Sequence, residues 1–131
     1  MSTEDNKKAA RRITEEPWNE GRLQTFDELC APSYQTVGGG GIAEQKQAIA
    51  EFRRGFPDIR MTIDDMIAEG DKVAFCWTCT GTHTGEYEGI PPTGKPIKGT
   101  GISFYRFADG KLVADRFEAS IGDLRQYLLG S

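Results

Sequence analysis

The 131-residue sequence contains one histidine and three cysteines, and its basic residues do not outnumber its acidic ones. A small, odd number of cysteines does not suggest a disulfide framework. The formal net charge of -4, with no run of Lys and Arg, argues against a surface that binds phosphate backbones. We therefore expect neither a disulfide-stabilised domain nor a nucleic-acid-binding protein.

Long apolar segments are missing as well. No run approaches the roughly 20 residues that a helix needs to cross a bilayer. The opening residues MSTEDNKKAARR lack the apolar middle of a signal peptide. We expect no membrane partner and a cytoplasmic location. The length predicts a single domain, residues 1–131, in which residues 1–6 are frayed.

The only closely spaced cysteine pair is Cys76 and Cys79, in the order C-x-x-C. This motif occurs in redox dithiols and in metal sites, but here its flanking pattern is that of a β-strand. Positions three apart on a strand point to opposite faces, so the two sulfurs are not expected to meet on one ion. We expect no metal site here.

Apolar periodicity predicts helices at both ends of the chain and strands between them. Helices are predicted over residues 7–29, with an interruption at Pro17 and Gly21, and over 44–56 and 121–129. The predicted strands are residues 33–37, 59–68, the segment that contains Trp77, 97–107 and 112–120. The pattern predicts an α+β fold, in which helices cover one face of a curved antiparallel sheet.

The segment from Phe75 to Gly94 carries the clearest functional signal. Alternate residues from Val73 to His83 share one strand face, so an apolar wall that includes Phe75 and Trp77 leads to the only imidazole. An apolar wall with one polar group at its edge is typical of a small-molecule pocket.

Two runs have a more specific pattern: WTCTGTHTGEYEGIPPTGKPI at 77–97 and FRRGFPDIRMTIDDMIAEGDKVA at 52–74. With FDELCAPSY and FADGKLV, they resemble the SnoaL-like polyketide cyclase family, which has the NTF2-like, or cystatin-like, fold. The resemblance implies a cone-shaped α+β fold around a deep apolar cavity, with N-terminal helices that close the cavity and a short C-terminal helix. It also implies a homodimer formed through the outer sheet face.

The activity implied by this resemblance is an intramolecular aldol condensation on a polyaromatic ester, in secondary metabolism. Such cyclases use no metal or organic cofactor, and an acidic residue in the cavity moves the proton. Related members assist polyketide hydroxylation, and other members of the fold bind ligands without catalysis. A binding protein and an accessory hydroxylation protein therefore stay open as alternatives.

The match to the family is incomplete at its functional positions. His83, in T-H-T-G, matches the cavity histidine, and Trp77 matches an aromatic wall residue. Thr36 and Val37 stand where an Asp-His pair is frequent. Ser120 occupies the position of the acid/base aspartate of the cyclases.

The last strand offers one substitute for that aspartate. Strict alternation puts Leu112, Ala114, Arg116, Glu118 and Ser120 on one face, which is expected to meet the cavity. Our hypothesis is that Glu118 removes a proton from a carbon next to a carbonyl, while His83 donates a hydrogen bond to the enolate oxygen. The alternative is that Arg116 and Glu118 form a structural ion pair and His83 binds a loop carbonyl. The predicted substrate-binding residues are Tyr34, Thr36, Phe75, Trp77, Arg116 and Ser120.

Overall fold

The computed structural model describes residues 2–130 of the chain. They form a mixed α+β fold built on one five-stranded sheet, in the strand order β1-β5-β4-β3-β2. The elements are α1 (Thr3–Glu15), a π-helical turn (Glu16–Glu20), α2 (Thr25–Leu29), β1 (Cys30–Thr36), α3 (Ile42–Gly55), β2 (Arg60–Glu69), β3 (Lys72–Thr82), β4 (Pro96–Ala108), β5 (Lys111–Ala119) and α4 (Leu124–Leu129).

Helix α1 begins earlier than the sequence predicts. Ser2 and Asp5 form a capping box: each side chain accepts a hydrogen bond from the backbone N–H of the other residue. Asn6 is buried. The prediction of a frayed segment over residues 1–6 is therefore wrong for residues 3–6, and Met1 lies outside the described residues.

The predicted interruption of the N-terminal helix is present, as a π-helical turn that follows α1. Pro17 lies inside the π-helical turn, and Gly21 ends that turn with a φ of 73°. A positive φ favours glycine because a side chain would be strained there. The turn lets the chain reverse into α2 while α1 packs across β2 and β3.

Most of the sheet is the predicted antiparallel meander. The β4–β5 hairpin turns at Asp109 and Gly110, which have φ values of 50° and 78°. Two positive φ values in a two-residue loop are characteristic of a type I′ turn, for which Asp-Gly is a preferred sequence. The exception is β1, which pairs with β5 in parallel, with Thr36 opposite Asp115.

A β-bulge in β5 changes which side chains face the interior. Phe107 pairs with Leu112 but Arg106 pairs with Ala114, so Val113 is an extra residue in the ladder. Beyond Val113 the alternation is shifted by one residue, and every later side chain changes face.

This shift overturns the predicted cavity face of β5. Asp115, opposite the buried Tyr105, lies on the concave side, and Phe117 and Ala119 follow it there. Arg116 and Glu118 instead pair with Phe104 and Ile102 on the outer side, where all four are exposed. The predicted face is therefore wrong for both residues: Arg116 does not border the cavity, and Glu118 borders it only from the outer face of the strand.

No helix within residues 2–130 is long and apolar enough to cross a membrane. The predicted separation of the two cysteines is confirmed. Cys79 is buried on the concave side, whereas Cys76 is partly exposed on the other side, and both are free thiols.

Candidate functional site

A cavity of about 940 Å³ lies between the concave face of the sheet and the helices α1 and α3. Its wall is mostly aromatic and aliphatic: Ile13, Trp18, Phe26, Ile49, Phe52, Ile59, Met61, Phe75 and Trp77 all border it. A cavity of this size and character suits an apolar ligand the size of a small polycyclic molecule. Phe75 and Trp77 thus occupy the predicted wall, and their contact with substrate stays a prediction.

Five carboxylate residues border the cavity: Glu44, Glu51, Glu88, Asp115 and Glu118. Glu44, Glu88 and Glu118 are exposed, whereas Asp115 is half-buried on the concave face of the sheet. Its Oδ2 accepts a hydrogen bond of 2.7 Å from the hydroxyl of Tyr34, which is almost completely buried. Asp115 Oδ1 is buried and has no partner among the described residues. One oxygen is therefore anchored by Tyr34, and the other lies close to the Thr36 side chain without a hydrogen bond of normal geometry.

Burial is the main influence on the acidity of this carboxylate. Desolvation raises the pKa of Asp115 above its ordinary value of 3.8, and the hydroxyls of Thr36 and Tyr34 oppose that rise. The Thr36 hydroxyl lies near the carboxylate and so lowers its pKa. Thr36 Oγ1 nevertheless makes no hydrogen bond of normal geometry within residues 2–130. A carboxylate with a raised pKa is a stronger base once ionised.

Further polar groups border the cavity beside Asp115. The Trp77 indole N–H donates to Ser103 Oγ at 2.9 Å, and both residues are buried. The hydroxyls of Thr14 and Tyr105 lie 3.4 Å apart, and Thr14 also donates to the Ala10 carbonyl. Burial raises the pKa of Tyr105, so this phenol stays protonated and can donate. The cavity wall thus carries neutral polar groups together with Asp115.

His83 is fully buried, but it is not one of the residues that border the cavity. Its Nδ1 accepts a hydrogen bond of 3.1 Å from the Thr93 backbone N–H and lies 2.8 Å from the Thr93 hydroxyl. Because a backbone N–H can only donate, Nδ1 is unprotonated, and the neutral ring carries its proton on Nε2. The ring packs on Phe56 with centroids 5.3 Å apart.

These contacts give His83 a role in the loop that follows β3. The ring ties Thr93 to the end of the strand, and the His83 backbone adds hydrogen bonds to Gly94 and Lys95. Nε2 has no partner among the described residues. The position does not favour the predicted donor role toward an enolate in the cavity, and the contact is to a loop amide rather than to a carbonyl.

The remaining predicted site residues are divided between the cavity and the outside. Tyr34 and Thr36 do not border the cavity themselves, but both lie next to Asp115, which does. Ser120 is exposed, and its Oγ accepts a hydrogen bond from the Thr100 backbone N–H, so it does not border the cavity. Glu118 borders the cavity rim, but its side chain leaves the sheet on the outer face beside Ile102.

Sequence reasoning missed three residues of this site, namely Ser103, Tyr105 and Asp115. Strict alternation in β4 runs from Ile97 to Phe107 and would have placed Ser103 and Tyr105 on the buried face. Asp115 carried no comparable signal, because its face depends on the bulge at Val113. Among residues 2–130, no group of three or more His, Cys, Asp or Glu side chains is arranged to hold a metal ion.

Comparison with known proteins agrees with this architecture. A family model described as SnoaL-like polyketide cyclase matches residues 8–119. No curated protein matches the chain at a significant level.

Several solved structures share the fold. TsrD from Streptomyces laurentii has a TM-score of 0.85 and 23% identity, and the match covers 100% of this chain and 99% of TsrD. A proposed polyketide cyclase from Acidithiobacillus ferrooxidans is 30% identical with a TM-score of 0.78, over 98% of this chain and 97% of that protein. AclR from Streptomyces galilaeus, a proposed hydroxylase, is 25% identical with a TM-score of 0.83, over 97% of this chain and 82% of AclR.

Proposed function

The chain belongs to the SnoaL-like polyketide cyclase family, and from this premise we propose that it is a cofactor-independent enzyme. Its substrate is a hydrophobic polyketide-type molecule, and the reaction is an aldol-type cyclisation by general acid/base catalysis. Asp115 is the base. The apolar cavity supports the substrate class, and the carboxylate with one unpartnered oxygen supports the chemistry.

The placement of Asp115 in the wall of an apolar cavity, with one oxygen held by Tyr34, is the observation that carries this proposal, and the raised pKa of this carboxyl agrees with it. The ionised carboxylate removes a proton from a carbon next to a carbonyl, and the electrons of the C–H bond form an enolate. The enolate carbon attacks a second carbonyl of the same molecule and forms the new C–C bond. The resulting alkoxide takes the proton back from Asp115, so no other reactant is consumed.

Asp115 takes the role first assigned to Glu118. A base must come within hydrogen-bonding distance of the proton that it removes. Asp115 lies on the concave face of β5, whereas Glu118 lies on the outer face opposite the exposed Ile102 and borders only the rim of the cavity. The chain has Ser120 where the cyclases are expected to have their acid/base aspartate, but Asp115 still supplies a carboxylate in the cavity wall.

A second candidate function is supported by the likeness to AclR. AclR, a proposed hydroxylase, is 25% identical to this chain over 97% of its length. Two proposed polyketide cyclases, from Streptomyces antibioticus and Bacillus cereus, have similar identities of 26% and 24%. In this function the same cavity would hold a polyketide for oxygenation. A dependence of turnover on molecular oxygen would identify it.

We also propose a homodimer that forms through the outer sheet face. Ile67, Ile102 and Phe104 are exposed apolar side chains on that face, with exposed fractions of 69%, 62% and 39%. Adjacent exposed apolar side chains on one face are typical of an interaction surface. Cytoplasmic location and a role in secondary metabolism stay predictions.

The test uses 2-acetonaphthone, a neutral aromatic ketone whose methyl protons lie next to its carbonyl. We expect it to raise the melting temperature of the protein, because a ligand that binds only the folded state stabilises it. In D₂O, the wild-type protein should accelerate the exchange of those methyl protons for deuterium, measured by proton NMR. The Asp115→Asn variant should bind the ketone but lose the acceleration.

Two outcomes would contradict the proposal in different ways. A thermal shift with no accelerated exchange would reject the enzyme and favour a non-catalytic binding protein. No thermal shift with 2-acetonaphthone or other neutral aromatic ketones would reject the apolar-ligand cavity itself.

A further inference from the structure

The Ser103 hydroxyl keeps an unused proton on the cavity wall. Trp77 Nε1 lies 2.9 Å from Ser103 Oγ, and an indole nitrogen can only donate. Ser103 Oγ is therefore the acceptor in this bond, and its own O–H is free for another one. Within residues 2–130 that O–H makes no hydrogen bond to the chain. Trp77 is 7% exposed and Ser103 is 8% exposed, and both border the cavity.

The orientation of the indole is fixed by Gly101. Trp77 pairs with Gly101 across β3 and β4, and a Cβ at Gly101 would lie 2.2 Å from Trp77 Cζ2. Real side chains do not approach so closely, so the indole occupies the space that this glycine leaves empty. The ring lies over Gly101, and its Nε1 donates to the next inward residue of β4, which is Ser103.

Ser103 and Asp115 lie on the same concave face of neighbouring strands. Ser103 pairs with Phe117, and Tyr105 pairs with Asp115, so Ser103 and Asp115 are diagonal neighbours. Diagonal neighbours in an antiparallel pair are about 7–8 Å apart. This separation leaves room for a carbonyl group and its adjacent carbon between a donor and a base.

We infer that Ser103, aligned by Trp77 and Gly101, is the binding subsite for the carbonyl oxygen of a neutral aromatic ketone or ester. The inference rests on the proposed function, because it names the group that receives the ligand oxygen while Asp115 meets the neighbouring carbon. Ser103 touches the ligand, whereas Gly101 acts as a positioning residue. Trp77 contributes its N–H to Ser103 and its ring to the wall.

The test compares two probes of similar shape, 2-acetonaphthone and 2-ethylnaphthalene, which has no carbonyl. In the wild-type protein, we expect the infrared C=O stretch of bound 2-acetonaphthone to lie at a lower frequency than in the Ser103→Ala variant. We expect Ser103→Ala to weaken binding of the ketone about fivefold, the effect of one neutral hydrogen bond. Its affinity for 2-ethylnaphthalene should change by less than about twofold, since no hydrogen bond is lost there.

Two further variants separate a ligand contact from a structural effect. Ser33→Ala removes an exposed hydroxyl on β1 that does not border the cavity, and it should leave both affinities and the C=O frequency unchanged. Trp77→Phe retains the Ser103 hydroxyl but removes the N–H that aligns it, and it should broaden the C=O band.

Different experimental results would contradict this inference and the proposed function. Equal C=O frequencies in wild type and Ser103→Ala, with 2-ethylnaphthalene still bound, would overturn the carbonyl subsite and leave the apolar cavity intact. A C=O band in Trp77→Phe as narrow as in wild type would overturn the role of Trp77. If neither probe bound the wild-type protein, the apolar-ligand cavity would be rejected, and this subsite with it.

Discussion

Tyr34 donates its hydroxyl proton to Asp115, with 2.7 Å between the phenol oxygen and Asp115 Oδ2. The bond joins β1 to β5, the one parallel pair in the sheet, and it is the only hydrogen bond that the Asp115 side chain receives from residues 2–130. A donor to a carboxylate stabilises its charged form, so Tyr34 limits the rise in pKa that burial causes.

Replacing Tyr34 by Phe removes this donor and keeps the ring. We expect the pKa of Asp115 to rise further, because desolvation is then less opposed. The acid limb of the pH profile for deuterium exchange into 2-acetonaphthone should move to higher pH. An acid limb at the wild-type position would show that Tyr34 does not control the ionisation of the base.

Asp115→Asn and Glu118→Gln are a matched pair of carboxylate-to-amide changes on β5. If Asp115 is the base, its replacement should lower the exchange rate about 10²- to 10⁴-fold, the usual contribution of a general base. Glu118→Gln should change the rate by less than about twofold, because this exposed side chain leaves the strand on the outer face, away from Asp115. The reverse order of effects would restore Glu118 as the base.

The same carboxylate should influence stability in a defined pH range. The folded-state pKa of Asp115 is raised above 3.8, so the folded protein holds the proton more tightly than the unfolded chain. This contribution is fully present below pH 3.8 and is lost as the pH rises through the folded-state pKa.

Urea denaturation of wild type and Asp115→Asn between pH 3 and 7 would measure this contribution. The free energy of unfolding of wild type, relative to the variant, should fall as the pH rises across that range. Other carboxylates contribute equally to the pH dependence of both proteins, so their contributions cancel in the comparison. One of them is Asp58, whose pKa is lowered by hydrogen bonds from Thr82. Parallel pH profiles for the two proteins would contradict a raised pKa at Asp115.

Gly101→Ala should disturb the fold at the Trp77 indole. The new methyl group would overlap Trp77 Cζ2, and a forced shift in a packed core costs about 1–3 kcal/mol. Urea denaturation should show that loss, and the tryptophan emission spectrum should change. Gly40→Ala is the control: its added Cβ would meet no atom closer than 3.4 Å, so its free energy of unfolding should change by less than about 1 kcal/mol. Equal stability of the two variants would refute the close packing of Gly101 against the indole.

The proposed homodimer predicts that a charge on the outer sheet face separates the subunits. Ile102→Glu places a carboxylate among exposed apolar side chains, and burying it at an interface would be costly. Sedimentation equilibrium should give a dimer for wild type and a monomer for this variant. Leu129→Glu changes a similarly exposed residue on α4 and should stay dimeric. A monomeric wild type would reject the interface.

Much of the local structure follows directly from the sequence. The apolar stripe of α3, the break at Pro17 and Gly21, and the Asp109-Gly110 turn each depend on residues close together in the chain. The apolar wall of β3 was predicted for the same reason, since alternation within one strand fixes which side chains share a face. The family was identified from runs of the same kind.

The site itself was decided by contacts between distant segments. Val113 forms an extra residue in β5 only because of how β5 pairs with β4, and that one residue exchanges the faces of Asp115 and Glu118. The parallel contact of β1 with β5 then brings Tyr34 to Asp115 across 81 positions of the chain. The fold class and the apolar wall could be predicted because both depend on local periodicity. Which carboxylate of β5 lies on the concave face could not, because strand register is set by pairing with a neighbouring strand and not by the pattern of a single strand.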